Sequence, residues 1–258
     1  NRGGKVGLVM TLQEYFNANP KGALALSGGV DSAYLLHCAQ AAGAQVQPYF
    51  AETQFQPAFE RRDAAQLCSG LGLPLKVLAL DVLADAQVRR NPPERCYYCK
   101  RKIFSAIAAA AAQDGYRLLW DGTNASDAVM DRPGMRALQE LQVQSPLRLC
   151  GLTKAQIRAG AKAAGLPVWD KPAYACLATR VQPGMRITAE NLARIERAEQ
   201  ALFTLGFRDF RVRLRGDTAL LQLPQAQLPR ALEQRKVLLQ ARRAEFSAAV
   251  LDLEARDE

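Results

Sequence analysis

Residues Ala25–Leu36 read ALSGGVDSAYLL, and the rest of the chain arranges itself around them. The apolar run ending at Leu26 reads as a short buried strand, Ser27–Ser32 (SGGVDS) as a loop and Ala33–Ala42 as a helix. Gly28 and Gly29 permit positive φ and let the backbone approach a ligand closely. The loop opens onto a helix N-terminus, where unpaired N–H groups and the helix dipole attract phosphate. Ser27 and Ser32 add hydroxyl donors. Asp31 is placed to cap the helix or to hold a Mg²⁺ ion bridging phosphates. No Gly-Lys-Ser/Thr follows, so this is not a Walker A loop. A plain Gly-Gly turn before a capped helix is the competing reading.

The chain has 258 residues, 49% of them hydrophobic, enough for one large or two modest domains with a real core. No stretch reaches the roughly 18 apolar residues of a membrane span, so no membrane partner is expected. Residues 1–9 read as a leader ahead of a start at Met10. Lys plus Arg exceeds Asp plus Glu by 34 − 25 = 9. That surplus suits an anionic partner such as a nucleotide, a phosphorylated small molecule or RNA, with a solvated arginine-rich surface as the bland alternative. Six cysteines without the spacing of a secreted disulfide scaffold point to a reducing, cytoplasmic setting.

Downstream, strands and helices alternate. Strands are expected at Gln45–Thr53, Leu75–Leu80 and Arg117–Trp120. Helices are expected at Pro57–Gly70, Tyr97–Gln113, Met135–Leu141 and Thr153–Ala164, with Thr153 as N-cap and Gly165 just past the end. Arg89–Arg95 holds two prolines and reads as loop, and Val143–Leu147 reads as an edge strand or an extended segment. The alternation implies a doubly wound, mostly parallel sheet. Ligands of such sheets sit outside the carboxyl ends of the strands. Here those ends are Ser27–Ser32, Ala51–Thr53, Asp81 and Asp121–Asn124, all small or polar, and Gly122 and Thr123 become nucleotide-binding candidates. The proline-bounded Trp169–Gly184 segment marks the boundary between a domain at 10–180 and a small α+β domain at 181–258. The latter is expected to hold a helix at Thr188–Leu205, strands at Phe207–Arg215 and Thr218–Leu223, a helix at Leu228–Ala241 and a last strand at Ala248–Leu253. Within Phe207–Arg215, alternation puts Arg211, Arg213 and Arg215 on one face and Val212 and Leu214 on the other.

Cys96-Tyr97-Tyr98-Cys99 is a C-x₂-C at the start of a helix, a spacing shared by zinc, iron–sulfur and redox sites. Cys176 stands in the later loop. With a lone His37 and no second C-x₂-C, three cysteines suit a [4Fe–4S] cluster with one open iron. A reversible Cys96–Cys99 disulfide, or packed thiols beside an unrelated Cys176, are the alternatives. Cys38, Cys68 and Cys150 read as packed thiols.

The SGGVDS loop resembles the PP-loop of ATP pyrophosphatases, the adenine nucleotide alpha hydrolase-like fold. Together with RCYYCK, DGTNASD, DRPGMRAL, SPL with GLTK, WDKPAYACLATR and RVRLRGD, in that order, it resembles the LarE family, the sulfur transferases of nickel-pincer nucleotide cofactor synthesis. The resemblance runs from about Leu12 to Leu253. It implies ATP- and Mg²⁺-dependent adenylation of the carboxylates of pyridinium-3,5-biscarboxylic acid mononucleotide, followed by their conversion to thiocarboxylates. One subgroup sacrifices the sulfur of the cysteine matching Cys176. Another binds a [4Fe–4S] cluster through three cysteines, here Cys96, Cys99 and Cys176, and delivers a sulfide carried on its open iron. Having all three, this chain resembles the cluster subgroup.

The chemistry is coherent in itself: a carboxylate is a poor electrophile, adenylation supplies AMP as leaving group, and a metal-bound sulfide is nucleophilic without a general base. Lys100 and Arg180 are placed as charge stabilisers at the adenylate alongside Asp31 and Cys176. Arg211 and Arg213 are candidates to fork onto the substrate phosphate. Glu199 and Asp217 are weaker candidates for a second Mg²⁺ or a substrate contact. Asp127, Asp131 and Arg132 belong to a loop that can order around substrate or a neighbouring subunit. The family implies a homo-oligomer but names no sulfide donor. Arg148-Leu149 after SPL and the ending DLEARDE depart from its pattern. Two other readings stand beside this one: a PP-loop [4Fe–4S] tRNA thiolase, disfavoured by spread rather than clustered charge, and a zinc-stabilised nucleotide-binding module.

Overall fold

The computed structural model describes residues 10–127, 133–242 and 245–256. In chain order the first elements are α1 (Leu12–Ala18), β1 (Lys21–Ala25), α2 (Val30–Ala41), β2 (Gln45–Glu52), α3 (Ala58–Gly70) and β3 (Lys76–Ala79). Then come α4 (Ala86–Arg89), α5 (Arg95–Gln113), β4 (Leu119–Trp120), α6 (Pro133–Glu140), α7 (Pro146–Leu149) and α8 (Lys154–Ala163). The last are α9 (Ala189–Thr204), β5 (Arg211–Arg215), β6 (Thr218–Gln222), α10 (Leu228–Glu233), α11 (Arg235–Arg242) and β7 (Ala248–Leu251). Among the described residues no helix is long and apolar enough to cross a membrane.

The contacts divide the chain into two units. The first comprises the chain up to Glu52, Ala58–Leu80 and Tyr97–Lys171; the second comprises Thr53–Pro57, Asp81–Cys96 and the chain from Pro172 on. The first unit holds a four-stranded sheet in the order β3-β2-β1-β4, parallel throughout. Alternation along the strands feeds two cores. Leu24, Val46, Phe50 and Trp120 pack on one face with Leu35 and Leu36 of α2 and Ile157 and Ala161 of α8. Ala23, Tyr49, Ala51 and Leu119 pack on the other with Phe104, Ile107 and Ala111 of α5. A sheet buried on both faces by helices is the doubly wound arrangement that the βα alternation implies. The chain lays β2 and β3 on one side of β1 and then crosses to place β4 on the other. The order therefore reverses between β1 and β4, the switch point where such sheets bind ligands.

In the second unit β5 and β6 form an antiparallel hairpin turned at Gly216, whose φ is +59°. β7 adds parallel to β6. Leu192, Ile195 and Leu202 of α9 are buried, as are Val212 and Leu214 of β5 and Phe207, Phe210 and Phe246.

Several local expectations change. Val143–Leu147 yields a single bridge from Trp120 to Gln144 and then α7, because Pro146 occupies a first-turn position, where its missing N–H costs nothing. The strand expected at Phe207–Arg215 shortens to Arg211–Arg215; Asp209, with φ +48°, breaks the extended backbone before it. The helix expected at Leu228–Ala241 is broken at Gln234, which ends α10. Asp131, Arg132 and the expected leader lie outside the described residues.

Candidate functional site

In the first unit the switch point is built by the loop after β1. Gly28 has φ +75°, and a Cβ there would stand 2.8 Å from the Glu60 carbonyl oxygen, so the turn admits only glycine. Gly29 is the N-cap of α2 and supplies no side-chain cap, leaving the first N–H groups of that helix to other acceptors. Ser32 braces the loop: its hydroxyl accepts the Ser27 N–H at 3.1 Å and lies 3.0 Å from the Ser27 hydroxyl.

The loop after β4 stands beside it. A Cβ on Gly122 would come within 2.8 Å of the Ser32 nitrogen, so this second glycine is what allows the two loops to touch. Asp121, Thr123 and Asn124 are all buried. Asp121 accepts hydrogen bonds from the Thr123 and Ser145 hydroxyls. The Asn124 side chain donates to Asp31 at 3.4 Å, and its oxygen accepts the Ser126 N–H at 2.8 Å. The Asn124 backbone N–H donates to the Asp127 carboxylate at 3.0 Å.

Three side chains that the sequence reading leaves unassigned join this group. Lys154, at the first turn of α8, forms an ion pair with Asp31, Asn124 donates to that same carboxylate, and Lys171 bonds the Gly28 carbonyl at 3.1 Å while pairing with Asp63. Each partner is remote in sequence; the motifs GLTK, DGTN and WDKP were the available signals, read without their geometry. Lys100 belongs to the same unit, its stem across Gly134, where a Cβ would meet Lys100 Cδ at 2.9 Å.

In the second unit Cys176 precedes a 3₁₀ turn at Leu177–Arg180, and Arg180, Glu199, Arg211 and Arg213 belong to the same unit. Arg180 is fully buried and Glu199 is 1% exposed. Arg180 Nε donates to Glu199 Oε1 at 2.8 Å and Nη2 to Oε2 at 3.1 Å. The Val212 N–H also donates to Oε1, at 3.0 Å, and the Tyr174 hydroxyl to Oε2. The sequence offers Arg180 as a charge stabiliser at the adenylate and Glu199 as a weaker candidate for a second Mg²⁺ or a substrate contact; in the structure the two pair with each other inside this unit, and the carboxylate takes four donors.

Arg211 and Arg213 likewise have protein partners. Arg211 donates to the Ala173 carbonyl at 3.1 Å and Arg213 to the Thr179 carbonyl at 2.9 Å. Burial pushes the Arg211 pKa down, the nearby charges of Arg180 and Arg256 adding to the effect; a guanidinium still remains charged at neutral pH. Asp217 stands apart at the β5–β6 turn, its side chain 59% exposed and paired with Arg194. The hydrogen bond from Arg194 leads in lowering its pKa.

All six cysteines are thiols. Cys96 is exposed and Cys176 half-buried. Arg95 donates toward Cys96 Sγ at 3.8 Å. Burial pushes the Cys176 thiol up, with Arg95 opposing and Cys96 reinforcing, so both residues lie within its electrostatic reach. Cys99 is three residues after Cys96 on α5, the spacing that shares a helix face. The donor set thus has the thiolate chemistry of an iron–sulfur site. Among the described residues, however, no group of three or more His, Cys, Asp or Glu side chains is gathered to hold a metal ion.

A parallel doubly wound sheet, with a glycine loop opening an uncapped helix at its switch point, defines a PP-loop-like α/β protein. No family model matches the chain. Over 207 residues it is 32% identical to the pyridinium-3,5-bisthiocarboxylic acid mononucleotide synthase of Lactiplantibacillus plantarum, covering 80% of this chain and 75% of that one. It is 33% identical over 220 residues to an uncharacterized protein of Synechocystis, covering 84% and 81% of the two chains. An uncharacterized protein of Methanocaldococcus jannaschii is 32% identical over 197 residues, covering 76% and 75%. The chain belongs to the LarE family, that of the pyridinium-3,5-bisthiocarboxylic acid mononucleotide synthases.

Proposed function

We propose that the protein is an ATP-dependent, AMP-forming sulfur transferase that converts the carboxylates of pyridinium-3,5-biscarboxylic acid mononucleotide to thiocarboxylates. The observation that carries this reading is the loop of Ser27–Ser32 opening an uncapped α2 beside Gly122 at the β1–β4 switch point, in a chain related to the synthase. The helix N-terminus and the Ser27 and Ser32 hydroxyls bind the pyrophosphate portion of ATP. Asp31 would hold Mg²⁺, which supplies charge neutralisation at the phosphates, and Lys154, the present partner of Asp31, would add a second cation there. Gly122 and Thr123 bound the nucleotide on the β4 side, and Lys100 offsets charge at the adenylate.

A substrate carboxylate oxygen attacks the α-phosphorus and pyrophosphate leaves. Sulfur then attacks the acyl carbon and AMP departs with the bonding pair. Cys96, Cys99 and Cys176 would hold a [4Fe–4S] cluster through three thiolates, and when bound that cluster supplies the sulfide. The arginines tied to the Cys176 loop keep a positive field near an anionic substrate. Arg213, which also bonds Gln222 at 2.5 Å, is the one assigned with Arg211 to the substrate phosphate.

Protein prepared without oxygen, given ATP, Mg²⁺ and the dicarboxylate mononucleotide, forms AMP and pyrophosphate together with a product in which sulfur replaces oxygen. AMP without sulfur transfer would reduce the reading to adenylation, and no AMP would remove it. Iron and acid-labile sulfide of about four each per chain, lost in Cys176→Ala, support the three-thiolate site. Their absence after reconstitution would leave Cys176 as a sacrificial donor, seen as the loss of one sulfur from the protein's mass.

A further inference from the structure

The segment before Cys96 carries side chains whose arrangement the adenylation chemistry leaves unexplained. Asn91 is 1% exposed and has φ +55°, a left-handed conformation that asparagine tolerates better than most residues. Its side-chain amide donates to the Gln182 carbonyl at 2.9 Å, and its own carbonyl accepts the Gly184 N–H at 2.8 Å. Two residues earlier, the Arg89 carbonyl accepts the Ile187 N–H at 2.9 Å. The Asn91 side-chain oxygen accepts Arg95 Nη1 at 2.6 Å. That same nitrogen donates to the Ala178 carbonyl at 2.9 Å, two residues beyond Cys176, and Arg95 Nη2 points at Cys96 Sγ. All of these residues belong to the second unit.

We infer that Arg95, aimed by Asn91, is a positioning residue that fixes the Cys96 thiol against the Cys176 loop. The inference deepens the reading above, on which these two thiols act together. A guanidinium is a rigid planar fork, so bonding an oxygen with one arm and facing a sulfur with the other sets the separation of the two groups. A lysine in its place presents one mobile ammonium and sets no such separation. Asn91 performs the same task one step back: its left-handed backbone turns the chain, and its side chain orients Arg95. The Cys176 end is equally fixed, because the Thr179 N–H and hydroxyl bond the Cys176 carbonyl at 3.0 and 2.8 Å.

The test uses the full, metal-free chain with Cys99→Ser, so that Cys96 and Cys176 are the pair under study. Dibromobimane becomes fluorescent when it bridges two thiols, and peptide mapping identifies which. The parent forms the Cys96–Cys176 bridge. Arg95→Gln, Arg95→Lys and Asn91→Ala form it about tenfold more slowly, as expected when two reacting groups lose their mutual orientation. Each bridging rate is divided by that variant's own rate of Cys96 alkylation by monobromobimane, which separates lost geometry from a change in the reactivity or exposure of the thiol. Should Asn91→Ala or Arg95→Gln fail to fold by circular dichroism, Asn91→Gly, which accepts the positive φ, carries the measurement. A parent that forms no bridge, or Arg95 variants that bridge at the parental rate, would overturn the inference. Iron content of the unmodified chain is read separately; bridging without iron binding would sink the cluster and leave the positioning role standing.

Discussion

Replacing Glu199 by Gln tests how the Cys176 loop is held. Glutamine keeps the volume of the side chain but removes its charge and turns one oxygen into a donor. In the native chain the carboxylate takes four donors: Arg180 Nε and Nη2, the Val212 N–H and the Tyr174 hydroxyl. Whichever way the new amide faces, two of them meet an NH₂ group instead of an oxygen, and the Arg180 charge stays fully buried without its partner. Breaking a buried ion pair from one side costs about 3–5 kcal/mol, a large share of the roughly 5–15 kcal/mol that keeps a domain folded. At roughly 2–4 °C per kcal/mol for a chain of this size, the melting temperature falls by about 6–20 °C. Calorimetry reads the shift, and urea titration followed by circular dichroism checks it. Replacing both partners with apolar residues, Arg180→Met with Glu199→Leu, recovers most of the loss, because no unpaired charge is left behind. A Glu199→Gln protein within about 1 kcal/mol of the parent would refute the argument, since a cost that small belongs to an exposed pair.

Three further outcomes follow from local geometry. Gly28→Ala lowers stability by about 1–2 kcal/mol and abolishes the AMP formation proposed above, because its Cβ meets the Glu60 carbonyl oxygen at positive φ; unchanged turnover would mean that the loop conformation is not the working one. Thr153→Ala costs about 1 kcal/mol in a denaturant titration, since it removes a reciprocal capping box with Gln156 from the helix that carries Ile157 into the core. In alkaline titration followed by phenolate absorbance, the step that is lost in Tyr15→Phe comes late, the Tyr15 pKa being pushed up to about 12 by burial. The neutral phenol is the form the folded state favours, so its contribution is complete below about pH 10 and is lost as pH rises toward 12; a Tyr15 that ionises near the ordinary tyrosine value of about 10 would contradict its burial.

Sequence patterns were informative wherever the determining interaction is local. Two glycines between a buried strand and a helix, and Thr153 before α8 with Gly165 just past it, each specify a structure within a few residues, and β1, α2 and α8 lie where the patterns place them. They were uninformative where a partner comes from far along the chain. Asp31 reads as a cap or a Mg²⁺ ligand, but its ion pair with Lys154 closes a loop of 123 residues for which no local period exists. Period-two alternation correctly separates Arg211, Arg213 and Arg215 from Val212 and Leu214, yet it cannot say what the arginine face looks toward. In the structure Arg211 is buried, Arg213 half-buried and Arg215 exposed, because only the first two reach the Cys176 loop.

That placement changes what the chain's net charge of +9 signifies. A basic surplus invites the inference of an anionic partner, but here part of it answers a backbone problem. The loop around Cys176 lies outside regular sheet or α-helix, so its carbonyls need donors from elsewhere. Arg211 serves Ala173, Arg180 serves Ala175 and Cys176, Arg95 serves Ala178 and Arg213 serves Thr179. Each guanidinium carries five N–H groups in a fixed plane and can bond a loop carbonyl while holding a second partner; an ammonium offers three donors on a flexible stem. The requirement is therefore for arginine specifically, and positive charge alone does not meet it. The resulting field surrounds a cysteine that burial disfavours as a thiolate. The same four side chains can thus fix the loop's shape and moderate the cost of placing negative charge, from sulfur or from a phosphorylated substrate, beside it.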